Sequence, residues 1–263
     1  MAAAQIDGTN ADDIVVGSGP GIADEVKVYQ IPLAASSSAG PALFAAFKPY
    51  GEDRSGVSIA TGFVDFSTGR ESIVTAPGPG MQARIKVFAF PLLKTIGKAG
   101  QGNIPTADQP VNTALFLAFG DDYRGGVSLA TGWLAGALGG AKRIIVSQLA
   151  DRGAVKIFSS GSALDGGPSL YLQSPLFHDH GAHFREIASF EPFEGTAGTR
   201  VATTGTTTGA NLLVSGVAPG ATDTSVLKYD FVRPNAQATT LEAVRLAQVW
   251  SGRASAPPAL GGD

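Results

Sequence analysis

The stretch Gly56-Val57-Ser58-Ile59-Ala60-Thr61-Gly62 returns as Gly126-Val127-Ser128-Leu129-Ala130-Thr131-Gly132, with Arg200-Val201-Ala202-Thr203-Thr204-Gly205 as a worn third copy. Six of the seven positions match between the first two, too many for chance in so short a run, so the chain is a repeat. A second series runs Ile14-Val15-Val16, Ile73-Val74-Thr75, Ile144-Ile145-Val146 and Leu212-Leu213-Val214. A third runs Val26-Lys27-Val28-Tyr29, Ile85-Lys86-Val87-Phe88 and Val155-Lys156-Ile157-Phe158, and more loosely Val226-Leu227-Lys228-Tyr229. The third series steps by 85−26 = 59, 155−85 = 70 and 226−155 = 71, and the second by 59, 71 and 68. An aromatic series follows: Leu43 to Phe47, Leu115 to Phe119, Ile187 to Phe190, and the stretch Leu241 to Trp250. Self-similarity at this period is the mark of a ring or array of sheets.

Composition agrees. The runs are rich in Val, Ile, Phe and Tyr and are bounded by Gly, Pro, Asn and Asp, which reads as strands and turns. With 35 Gly, 16 Pro and only 16% charged residues, the chain suits many short strands in tight turns and leaves no helix of consequence. The segment Thr239 to Val249 fits a helix or a strand by periodicity, and its place in the repeat makes it a strand. A chain of 263 residues, 44% hydrophobic, can bury a large core. A net charge of −3 lacks the clustered Lys and Arg that a nucleic-acid surface needs. Zero cysteines excludes disulfides and thiolate chemistry. No run approaches the ~18 apolar residues of a membrane span, so no transmembrane segment is expected. The opening Met1 to Asp7 also lacks the basic and apolar regions of a signal peptide.

The expectation is therefore all-β: a β-propeller with four blades of four antiparallel strands over 1–250, divided near 50, 121 and 192. A flexible Pro- and Gly-rich tail is expected over 251–263. The insertions Ala34 to Pro41, Leu92 to Pro110 and Ser160 to Pro175 fall between third and fourth runs and should leave one face of the disc. Ring closure stays open at this point. The first and fourth blades could pack together, the array could remain open, or chains could complete a larger ring together.

At these runs the chain resembles the FG-GAP repeat of integrin-type propellers and bacterial surface proteins. Gly-Val-Ser-Ile/Leu-Ala-Thr-Gly is followed by the Ile-Val run, a Pro-Gly element and the Val-Lys-Val strand. The elements at Gly17 to Gly21, Ala76 to Gly80 and Gly216 to Gly220 stand where the family has Gly-Ala-Pro. The resemblance covers Ala3 to Trp250 and implies that the Gly-Val-Ser strand is innermost, where small residues suit a crowded axis. It also implies a calcium loop between the first two strands of each unit, because hard cations take several oxygen ligands from carboxylates alternating on a turn. Here those carboxylates have largely gone: Asp7 and Asp13 keep ligand positions in the first loop, Asp65 remains in the second beside Arg70, and the third and fourth have none. Calcium is not expected, nor any other cofactor, and Thr, Ser and Asn side chains should hold these turns instead.

Other candidates are few. All three histidines fall in His178-Asp179-His180-Gly181-Ala182-His183, where His178 and His180 would point to one side of an extended segment and, with His183, could take a transition metal. Read otherwise, this is a polar loop entering a strand, and Gly181 interrupts the pattern. Gly51-Glu52-Asp53-Arg54 and Asp121-Asp122-Tyr123-Arg124 read as turns whose Asp caps amides and whose Arg packs along the next blade. The recurring aromatics read as core between blades. Trp133, in a Gly- and Ala-rich loop, is the candidate for an exposed partner contact. The resemblance implies a non-enzymatic, extracytoplasmic module, a structural or binding scaffold for a protein or glycan partner. The competing expectations are a carbohydrate-active enzyme or its accessory domain, which would need a pair of facing carboxylates, and a subunit of a larger oligomer or surface assembly.

Overall fold

A computed structural model of the protein describes residues 1–6, 11–32, 40–65, 70–90, 110–134, 141–160, 184–193, 198–206, 209–217, 223–232, 234 and 240–253. The described residues form sixteen strands and no helix. The first sheet holds β1 (Ala2–Ala4), β2 (Asp13–Gly17), β3 (Val26–Gln30) and β4 (Ala42–Phe47), and the second holds β5 (Val57–Gly62), β6 (Ser72–Pro77), β7 (Arg84–Ala89) and β8 (Val111–Leu117). The third holds β9 (Val127–Gly132), β10 (Arg143–Gln148), β11 (Val155–Ser160) and β12 (Phe184–Phe190). The fourth holds β13 (Thr199–Thr206), β14 (Gly209–Val217), β15 (Asp223–Val232) and β16 (Glu242–Arg253). Every sheet is an antiparallel meander in chain order, a propeller-like arrangement of four four-stranded blades.

The repeat register carries over residue for residue. Ala3, Thr61, Thr131 and Thr203 occupy one site on the first strands, opposite Ile14, Ile73, Ile144 and Leu212. Each third strand is bulged against its fourth. The ambiguous C-terminal segment is a strand. Its pairing with β15 continues through Arg253, so the hairpin runs past Trp250 into what sequence suggests as tail.

Strand alternation sends each sheet's side chains to two faces. The face of the first sheet bearing Val15, Val28 and Phe47 packs on Ile73 and Phe88 of the second. The reverse of the second, with Val74, Val87 and Ala114, packs on Ile144, Val146 and Phe158 of the third. The reverse of the third, with Ile145 and Ile157, packs on Leu212, Val214 and Tyr229 of the fourth. The recurring aromatics seal these interfaces: ring centroids lie 4.8 Å apart for Phe47 and Phe88, 4.7 Å for Phe116 and Phe158, and 4.8 Å for Phe190 and Tyr229. Every residue of β6 and β10 is buried, because the second and third sheets are covered on both faces. In β2 and β14 burial alternates, because only one face is covered. Among the described residues no core cluster joins the first sheet to the fourth, so three interfaces hold four blades.

The Thr-Gly dipeptide explains why the first strands of neighbouring sheets approach so closely. Thr61 Oγ1 donates to the Ala3 carbonyl (2.8 Å), Thr131 Oγ1 to the Thr61 carbonyl, and Thr203 Oγ1 to the Thr131 carbonyl (2.8 Å). The glycines beside Thr61 and Thr131 make room for the next blade's threonine: a Cβ on Gly62 would lie 2.9 Å from Thr131 Oγ1, and one on Gly132 would lie 2.7 Å from Thr203 Cγ2. At the other end of the strand, Gly56 (φ 87°) and Gly126 (φ 76°) are left-handed and lie against Pro20 and Pro79 of the preceding blade's turn.

Candidate functional site

Antiparallel order puts the connections between first and second strands, and between third and fourth, at one end of every sheet. The turns between second and third strands, and the crossings to the next sheet, leave the other end.

That second end is tied blade to blade by backbone. Gly21 N donates to the Arg54 carbonyl (2.9 Å) and Gly80 N to the Arg124 carbonyl (2.8 Å). Asp24, fully buried, accepts Gly56 N (2.8 Å) and the Ser55 hydroxyl (3.2 Å) across the first interface. Asp53 caps Arg54 N (2.7 Å) as sequence suggests, but the side chain of Arg124 folds onto the carbonyls of Asp121 and Tyr123 in its own turn. The cation that crosses to a neighbouring blade is instead the lysine of the third strand. Lys86 Nζ donates to the Pro49 carbonyl (2.6 Å) and lies 5.2 Å from the Tyr50 ring centre. Lys156 Nζ stands 5.6 Å over Phe119 and pairs with Glu186 at 2.8 Å. Burial lowers the Lys86 pKa, with Arg84 adding to the effect. Tyr50 donates to the Arg84 carbonyl (2.7 Å) and meets Thr75 Oγ1 (3.1 Å), and burial pushes its phenol well above the ordinary range.

The first end carries the candidates read from sequence. Asp13 is buried at the start of β2 and accepts Ile6 N at 3.0 Å, closing the first connection from within. Asp65 is buried. Around them stand cations and one shared carboxylate. Arg70 Nη1 donates to the Ile6 carbonyl (3.2 Å), and Glu71 accepts Gln5 N at 2.9 Å and pairs with Lys142 at 2.8 Å, joining three successive sheets. Lys142 N donates to the Phe63 carbonyl (2.7 Å), and the buried Arg143 donates to the Ala141 carbonyl (2.9 Å). Positive side chains thus stand where the resemblance would put a cation. Sequence points to Arg70 but misses Glu71, Lys142 and Arg143; their signal is the change of sign from Asp13 in the first unit to Arg143 in the third.

Trp133 sits just beyond β9 at this same end and is half-buried rather than fully exposed. The next residue, Leu134, turns into the core between the third and fourth sheets. Asp7, His178, His180 and His183 lie outside the described residues. Among the described residues no three His, Asp or Glu side chains converge as metal ligands, and no helix is long and apolar enough to cross a membrane. No protein-family model matches the chain, and no curated protein matches it either.

Proposed function

We propose that the chain is a non-enzymatic scaffold of FG-GAP type, acting outside the cytoplasm and holding a protein or glycan partner at the end that carries Trp133. One observation supports this above others: the two ends of the blades are built differently. The turn end is laced blade to blade by short turns, with Gly21 N on the Arg54 carbonyl and Gly80 N on the Arg124 carbonyl, whereas the opposite end carries the Lys142-to-Phe63 backbone bond and the longest connections, 91–109 and 161–183. A stiff stack with long segments at one end suits recognition, because such segments vary without cost to the core. Against catalysis, the buried carboxylates Asp13 and Asp24 are occupied by backbone amides. The basic groups Arg70, Lys142 and Arg143 at the first-to-second connections support the expectation that calcium is not needed.

Hydrogen exchange of the protein with and without a panel of defined oligosaccharides and surface-protein extracts tests this reading. Protection on binding is expected around Trp133 and the neighbouring connections, and Trp133→Ala is expected to weaken binding at least tenfold. Cleavage of any oligosaccharide, or protection confined to the turn end, would overturn it.

A further inference from the structure

Among the described residues, two sheet faces have no second sheet packed on them. On the first sheet it is the face bearing Ile14, Val16, Lys27, Tyr29 and Leu43; on the fourth it is the face bearing Ala202, Leu213, Val226, Lys228 and Val244. Val16 is 36% exposed although its equivalents Val146 and Val214 are completely buried, and Leu43 is 57% exposed. Val244 is 39% exposed. Apolar groups clustered on a sheet face in this way mark a surface built to be covered.

The two faces are complementary in the sense that each internal interface is. Inside the stack, the second and third blades present to the next a glycine, at Gly62 and Gly132, that receives the next blade's threonine, at Thr131 and Thr203, and the first blade presents Ala4 at the same site. At the ends the residues are exchanged. Thr204 takes the glycine site on the fourth sheet and Ala3 takes the threonine site on the first, so a large group still meets a small one. Both outer faces carry charge: Lys228 and Asp230 on the fourth sheet, and Lys27 on the first, where Glu25 is its partner at 3.1 Å. Lys228 occupies a site that is apolar in the other blades, at Val28, Val87 and Ile157. A charge there keeps a face soluble while it is in water.

We propose that these faces are the two halves of one interface between two copies of this chain. The first sheet of each copy packs on the fourth sheet of the other, closing an eight-sheet ring about a two-fold axis. The contact continues the relation already made three times within the chain, and a ring of eight is within the range of propellers. Both contacts are equivalent by symmetry, so the assembly stops at two copies. This holds whatever partner the ring binds.

Sedimentation of the purified protein over a wide concentration range reads the outcome. The expected mass is about twice the 26.7 kDa of one chain. Leu43→Asp and Val244→Asp change exposed side chains, so each variant should keep the native circular dichroism and sediment as a monomer. Mixing the two should restore a weaker dimer, because one of its two contacts is then intact. A monomer at every concentration would overturn the proposal. So would a Val244→Asp variant that dimerises as tightly as the parent, since that means the first sheets pair with each other, or masses that grow without limit, since the ring then fails to close.

Discussion

Single side chains tie the blades together, and each tie can be cut on its own. Thr131→Val keeps the shape of Thr131 but leaves the Thr61 carbonyl without its hydroxyl. The expected loss is about 1–2 kcal/mol in urea unfolding, with Thr131→Ser retaining most of the stability. Tyr50 gives a pH test. Its phenol is held above the ordinary value of 10.0 by burial, and those of Tyr123 and Tyr229 are raised by the same cause. A raised folded pKa means that stability is fully present below about pH 10 and falls as pH climbs above it. Lys86, depressed from 10.5 by burial, works the other way, and its favourable change is complete near pH 10.5. Net loss is therefore expected above pH 10.5. Tyr50→Phe should lower stability at neutral pH by about 1–2 kcal/mol while making the alkaline decline shallower. An equally steep decline in the variant would show that Tyr50 is not its source. The threonine is visible in the sequence as part of a repeated run, but its role is not, because a hydroxyl that donates to the preceding blade reads the same as one facing solvent.

At the scale of the strand and its turns, sequence is read most fully where sterics allow little choice. The Gly-Val-Ser-Ile-Ala-Thr-Gly run keeps its glycines because one end must turn left-handed and the other must admit a threonine. Gly56→Ala therefore meets two penalties at once, a φ of 87° and a Cβ 2.9 Å from Pro20 N. It should cost about 2–4 kcal/mol, read as a lower urea midpoint with an unchanged slope. The third-strand series is legible for the same reason: Val-Lys-Val with an aromatic puts two β-branched residues toward the next blade and a lysine toward the last one. In the fourth sheet the order becomes Val226-Leu227-Lys228-Tyr229, which buries Leu227 under the third sheet and turns Lys228 outward. From sequence this is only a looser copy. In the fold, exchanging two residues within a strand changes which face is apolar, because alternation has a period of two. The ionic bridge from Gln5 through Glu71 to Lys142 was not legible, since its members are 66 and 71 residues apart in sequence and meet only when neighbouring blades align.

Across the whole molecule, stability should follow position in the stack, because repeat arrays draw it from nearest-neighbour interfaces. Among the described residues, the second and third sheets each have two such interfaces, and the first and fourth each have one. Sequence shows four equal units and hides this inequality, since Ile14 and Ile144 belong to the same series. The fold separates them: Ile144 is fully buried between two sheets, and Ile14 lies half-buried on the outer face of the first. Ile144→Ala should therefore cost about 2–5 kcal/mol, the range for emptying a packed core site. Ile14→Ala should cost less than about 1 kcal/mol at concentrations where the chain is a monomer, because the side chain leaves no closed cavity behind. Native-state amide exchange gives the same ordering without mutation. Amides of β6 and β10 are expected to exchange only through global unfolding, and those of β2 and β14 through cheaper opening of the end blades. Raising the protein concentration should slow β2 and β14 together and leave β6 and β10 unchanged, because covering the two outer faces gives each end blade the second interface it lacks within one chain.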